Sequence, residues 1–104
     1  MIGVIDYGLG NVQAFLNIYK RLGIPAMRIV VKDDFKKVDR FILPGVGSFD
    51  HAITLLNDSG LRDTLEDKVM SKNYPILGVC VGMQILADSS DEGESSGLGW
   101  IPGR

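Results

Sequence analysis

Four short apolar runs, Ile2–Ile5, Ala26–Val31, Arg40–Leu43 and Pro75–Leu77, alternate with segments of a different period. Runs of this length, rich in branched residues and bounded by turn formers, read as buried strands. Between the first two, Val12, Phe15, Leu16, Tyr19 and Leu22 keep helical spacing behind a candidate N-cap at Asn11, and Gly23 closes the segment. Strands alternating with helices pair in parallel through right-handed crossovers and carry helices on both faces of the sheet. The expected fold class is therefore α/β, with a mostly parallel sheet. In such sheets ligands collect at the carboxyl ends of the strands.

The remaining segments fit that alternation. The charges of Lys32–Lys37 read as a solvated face, and 50–57 reads as a helix burying Ile53 and Leu56. Gly60 breaks it, and Leu61, Leu65 and Val69 carry a further helix towards the fourth run. A chain of 104 residues is one small domain or part of a larger one. With a net charge of −2 and scattered basic residues it has no footprint for nucleic acid. The apolar runs are far too short to span a membrane, and the N-terminus lacks the basic region and cleavage site of a signal peptide, so a cytoplasmic protein is expected. One cysteine allows no internal disulfide, and one cysteine beside one histidine is too little for a metal site. No cofactor is expected.

The chemistry points to Gly78-Val79-Cys80-Val81-Gly82-Met83-Gln84, between the apolar run Pro75–Leu77 and Ile85-Leu86-Ala87. This reads as strand, sharp turn and helix with a cysteine at the bend. A nucleophile elbow has room only for small residues two before and two after the nucleophile, where Gly78 and Gly82 stand. A helix terminus favours thiolate, but by only about 0.3–1 kcal/mol, so a thiol of pKa about 8.5 still benefits from a base. A lone cysteine is more often a buried thiol. The flanking glycines reverse that preference and make Cys80 the candidate nucleophile.

Two other glycine-rich loops follow strands. Asp6-Tyr7-Gly8-Leu9-Gly10-Asn11 carries little weight as a nucleotide site, because a dinucleotide fingerprint requires glycine where Gln13 stands. Pro44-Gly45-Val46-Gly47-Ser48-Phe49-Asp50 is either a plain turn or a backbone that offers N–H groups to an oxyanion. His51 sits in the first turn of a predicted helix, which argues against a catalytic role. Ser89–Gly97 is a polar, solvated loop, and Leu98–Gly103 begins another extended segment.

Taken in order, Asp6–Asn11, Pro44–Gly47 and Gly78–Gln84 resemble the class I (triad) glutamine amidotransferases, and Gly97–Gly103 fits the same pattern. The resemblance implies the flavodoxin-like fold of that family, with residues 1–104 as the N-terminal portion of a single amidotransferase domain that is incomplete at its C-terminus. Cys80 would attack the side-chain amide of glutamine, form a γ-glutamyl thioester and release ammonia. The oxyanion would rest on the backbone N–H of Val81, helped by the Gly45-Val46-Gly47 backbone, where a peptide near Val46 must reorient. Gly45, Gly47 and Gln84 match positions that contact bound glutamine, and Glu92 matches an acidic residue near its amino group.

The family's base and orienting acid are a histidine and a glutamate from near the end of a domain roughly twice this long. Neither is expected within these residues, so efficient turnover is not expected of this chain alone. The implied partners are glutamine and a synthase or cyclase subunit that receives the ammonia in a heterodimer. The leading acceptor is the imidazole-forming cyclase of histidine biosynthesis, with a synthase that aminates a surface-polysaccharide sugar as the alternative. Two other readings are a truncated, non-catalytic partner-binding or regulatory fragment and a redox member of the wider superfamily. Met83-Gln84 and Pro44–Gly47 favour glutamine over the redox reading.

Overall fold

The computed structural model describes residues 1–80, 82, 85 and 86. The elements run β1 (Ile2–Ile5), α1 (Val12–Arg21), β2 (Ala26–Ile29), a 3-10 segment (Lys32–Lys37), β3 (Arg40–Leu43), α2 (Phe49–Asp58), α3 (Arg62–Glu66) leading into a π-helical turn (Asp67–Ser71), and β4 (Ile76–Gly78). Among the described residues the strands form one sheet in the order β2-β1-β3-β4. Every pairing is parallel, with Ile2 opposite Ala26 and Arg40, and Leu43 opposite Gly78. The expected α/β class and parallel sheet are present. The chain winds from β1 to β2 and then crosses to β3 on the other side, so the carboxyl ends of β1 and β3 flank a topological switch point.

The period of two along each strand divides the core. Ile5, Ile29, Phe41 and Leu43 face Phe49, Ile53, Leu56 and Leu65 of α2 and α3. Val4 and Ile42 turn to the other face and meet Val12, with Phe15, Leu16 and Tyr19 of α1 half-buried around them. Helices thus cover both faces, as the alternation requires.

Two helix starts are fixed by short polar side chains. Asn11 Oδ1 accepts the N–H of Ala14 at 3.1 Å, and Ser48 Oγ accepts the N–H of His51 at 3.2 Å. Each satisfies a donor that a helix N-terminus leaves open. α2 therefore begins one residue earlier than the pattern of apolar side chains predicts.

The predicted second strand is too long. It ends at Ile29 rather than Val31, because the Asp34 carboxylate accepts the N–H groups of Val30 at 2.8 Å and Val31 at 3.1 Å. Those two bonds, Val30 first, also hold the Asp34 carboxyl below its ordinary pKa. A local side-chain acceptor has displaced the sheet ladder. The stretch read as a solvated face exposes its lysines but buries Phe35, whose ring lies 5.5 Å from that of Phe41. The third predicted helix is present only as α3 and the π-helical turn, with Leu61 and Leu65 buried. No helix among the described residues is long and apolar enough to cross a membrane.

Candidate active site

Three strands deliver their carboxyl ends side by side, and the loop from each fits against the next. On one flank is the elbow. The β3–β4 ladder ends where the N–H of Val79 donates to the carbonyl of Leu43 at 3.0 Å, and the N–H of Gly82 then closes the turn on the carbonyl of Val79 at 3.0 Å. Between them Cys80 is exposed and has φ +57°. Asn73 is the other described non-glycine residue with positive φ, and asparagine tolerates that region where cysteine does not. A cysteine held there costs on the order of 1–3 kcal/mol and persists only when its surroundings impose it.

Gly82 is part of what imposes it. A Cβ at Gly82 would run into the carbonyl oxygen of Leu43. The small residue two after Cys80 is thus required by β3, a strand far away in sequence. The buried Ile85 and Leu86 join the core under α2 and α3 and anchor the chain beyond the bend.

In the middle lies the loop after β3. Pro44 and Gly45 are buried, whereas Val46, Gly47 and Ser48 are exposed. Gly47 has φ +93°, and a Cβ there would have no atom within 4 Å. The loop has a packed stem and an open tip.

On the other flank is the loop after β1. Tyr7 is 5% exposed, and its hydroxyl donates to the carbonyl of Pro44 at 2.6 Å. Burial pushes its pKa up to about 12, so it is a neutral donor across the physiological range. Gly10, at φ +85°, leaves no room for a side chain: a Cβ would lie 2.8 Å from Pro44 Cβ and 3.1 Å from Gly45 N. Arg28 holds the start of the loop, donating to Asp6 Oδ2 at 2.8 Å and to Gln13 Oε1 at 2.9 Å.

Of the residues singled out from the sequence, Cys80, Gly45, Val46 and Gly47 are therefore carried on adjacent strand ends. Val81, Gln84 and Glu92 lie outside the described residues, as do Ser89–Gly97 and Leu98–Gly103. His51 is exposed in the first turn of α2. Among the described residues no three His, Cys, Asp or Glu side chains cluster to hold a metal ion. Sequence reasoning missed Tyr7. Its only signal was an aromatic residue amid glycines, and its partner lies 37 positions away.

The model of the SNO glutamine amidotransferase family matches residues 8–101. An imidazole glycerol phosphate synthase subunit HisH of Bdellovibrio bacteriovorus is 57% identical over 104 residues, covering 100% of this chain and 51% of that protein. A subunit of the same name from Leptospira interrogans is 54% identical, with coverage of 100% and 51%. A solved glutamine amidotransferase crystal structure superposes with a TM-score of 0.75 at 26% identity, covering 94% of this chain and 51% of that one. The chain spans about half the length of the curated relatives it matches.

Proposed function

The chain belongs to the SNO glutamine amidotransferase family, and from that premise we propose that it carries the nucleophile of a glutaminase that supplies ammonia to imidazole glycerol phosphate synthase. The observation that carries the reading is Cys80 at φ +57°, exposed on a turn that abuts the loop after β3. The thiolate of Cys80 attacks the amide carbon of the glutamine side chain, and the C–N bond breaks with a proton delivered to the departing nitrogen. Ammonia leaves, and water then cleaves the γ-glutamyl thioester to glutamate and free thiol.

Negative charge on the amide oxygen is to be met by the N–H of Val81 and by the open backbone at Val46 and Gly47. Gly45, Gly47, Gln84 and Glu92 are assigned to the bound glutamine. We read residues 1–104 as the N-terminal portion of a single amidotransferase domain, supported by the 51% coverage of the relatives. The sole histidine, His51, is exposed on α2, so the base and its orienting acid are assigned to residues beyond these 104. The names of the relatives favour the imidazole-forming synthase as acceptor over a sugar-aminating one.

The test is glutamate release by the full-length protein, with and without its synthase subunit. Glutamine hydrolysis that falls by about a thousandfold or more in Cys80→Ser supports the assignment. Hydrolysis that persists in Cys80→Ser removes Cys80 as nucleophile. A wild-type protein that binds the synthase but releases no glutamate would make the chain a non-catalytic subunit.

A further inference from the structure

We propose that Tyr7 is a positioning residue for glutamine hydrolysis: its hydroxyl fixes the Pro44–Gly45 peptide and so confines any reorientation of the loop to Val46 and Gly47. This rests on the glutaminase reading above. Successive carbonyls of a strand point to opposite sides, and here Leu43 gives its carbonyl to Val79 beside β4 whereas Pro44 gives its own to Tyr7 beside β1. No peptide bond among the described residues is cis, so the peptide plane fixed at the Pro44 oxygen also fixes the Gly45 N–H, pointing away from the β1 loop. The sheet order places β4 and Cys80 on that side.

Rotation of this one peptide would break a buried 2.6 Å bond and leave the Pro44 carbonyl without its partner. Gly10 adds a steric stop, because its backbone already occupies the space against Pro44 and Gly45. Two residues on, Val46 is 56% exposed and Gly47 has open space around its Cα, so a peptide there turns without a comparable loss. The hinge of the oxyanion loop is set by where the Tyr7 bond ends.

Tyr7→Phe keeps the buried ring and deletes only the donor. In the full-length protein with its synthase subunit, kcat for glutamine is expected to fall about tenfold while KM stays within about twofold. Alkylation of Cys80 by iodoacetamide is expected at the wild-type rate, and amide hydrogen exchange in segment 44–48 is expected to quicken. Replacement of Tyr7 by 4-aminophenylalanine restores a donor on the same ring and is expected to recover most of kcat.

Unchanged kcat in Tyr7→Phe overturns the proposal. So does a parallel loss of kcat, alkylation rate and thermal midpoint, which would make Tyr7 merely structural. If Tyr7→Phe fails to fold, the 4-aminophenylalanine protein decides, since a kcat far below wild type despite a native fold contradicts a role for the donor. A wild-type protein without glutamate release sinks the glutaminase reading and with it any catalytic role for Tyr7, while the exchange experiment still reports whether the bond fixes the loop.

Discussion

The loop after β1 and the loop after β3 are both glycine-rich, both stand at the carboxyl edge of the sheet, and they are built in opposite ways. The first is tied at three points: Arg28 on Asp6, the Tyr7 hydroxyl on Pro44, and Gly10 against Pro44 and Gly45. The second is held at its stem and, through Ser48, at the start of α2, and it opens to solvent at Val46 and Gly47 between them. Glycine serves close approach in one and conformational freedom in the other. On the glutaminase reading proposed above, the tied loop fixes the stem from which the open one would offer its backbone N–H groups to an oxyanion.

The largest expected effect is at the junction of the elbow with the stem. Gly82→Ala drives a methyl group into the Leu43 carbonyl, with an expected loss of about 2–4 kcal/mol in chemical denaturation of the full-length protein. A loss below about 1 kcal/mol would mean that the elbow is not held against β3 as described.

The two loops are set directly against each other by alanine at their glycines. Gly10→Ala meets both a positive φ and the Pro44 contact and is expected to cost about 2–3 kcal/mol, whereas Gly47→Ala meets only the positive φ and is expected to cost about 1 kcal/mol. Equal losses would erase the contrast between tied and open loop. In glutamate release the order is expected to differ, because Gly47 lies at the open tip.

A smaller effect appears at alkaline pH. The phenol of Tyr7 has its pKa raised from 10.0 to about 12, so the folded state holds the proton more tightly than the unfolded one. Its contribution to stability is complete below pH 10 and is lost as pH rises through about 12. The unfolding midpoint measured between those limits should be less sensitive to pH in Tyr7→Phe than in wild type, and an identical pH dependence would deny the buried donor.

The smallest effect belongs to the outer tie. Arg28 and Asp6 form a 2.8 Å pair with side chains 39% and 25% exposed, and solvent screens it. Arg28→Gln is expected to cost at most about 1 kcal/mol and to lose part of that in high salt. A larger, salt-independent loss would show that Arg28 packs rather than pairs.

Much of this site is legible along the chain. The bend at Cys80 follows from an apolar run, glycines two before and two after, and a return to apolar residues, all local signals of backbone conformation. The strand ends follow from the period of two, although β2 stops early because Asp34 takes the N–H groups of Val30 and Val31. That competition lies three and four residues away and is accessible to local reasoning. Phe35 is harder, because all five of its neighbours in Lys32–Lys37 are charged like any solvated turn and only the fold places its ring on Phe41.

By itself, then, the sequence determined the order of the described strands and helices, the bend at Cys80 and the two glycine-rich loops, because each depends on propensity, period or spacing within a few residues. Only the tertiary structure decided which of those glycines are required and why. The atoms nearest a side chain at Gly82 belong to Leu43, those that exclude one at Gly10 belong to Pro44 and Gly45, and the acceptor for the Tyr7 hydroxyl is again Pro44. Parallel pairing brings residues more than thirty positions apart to one sheet edge, and contacts of that range leave no periodic trace in the chain that makes them.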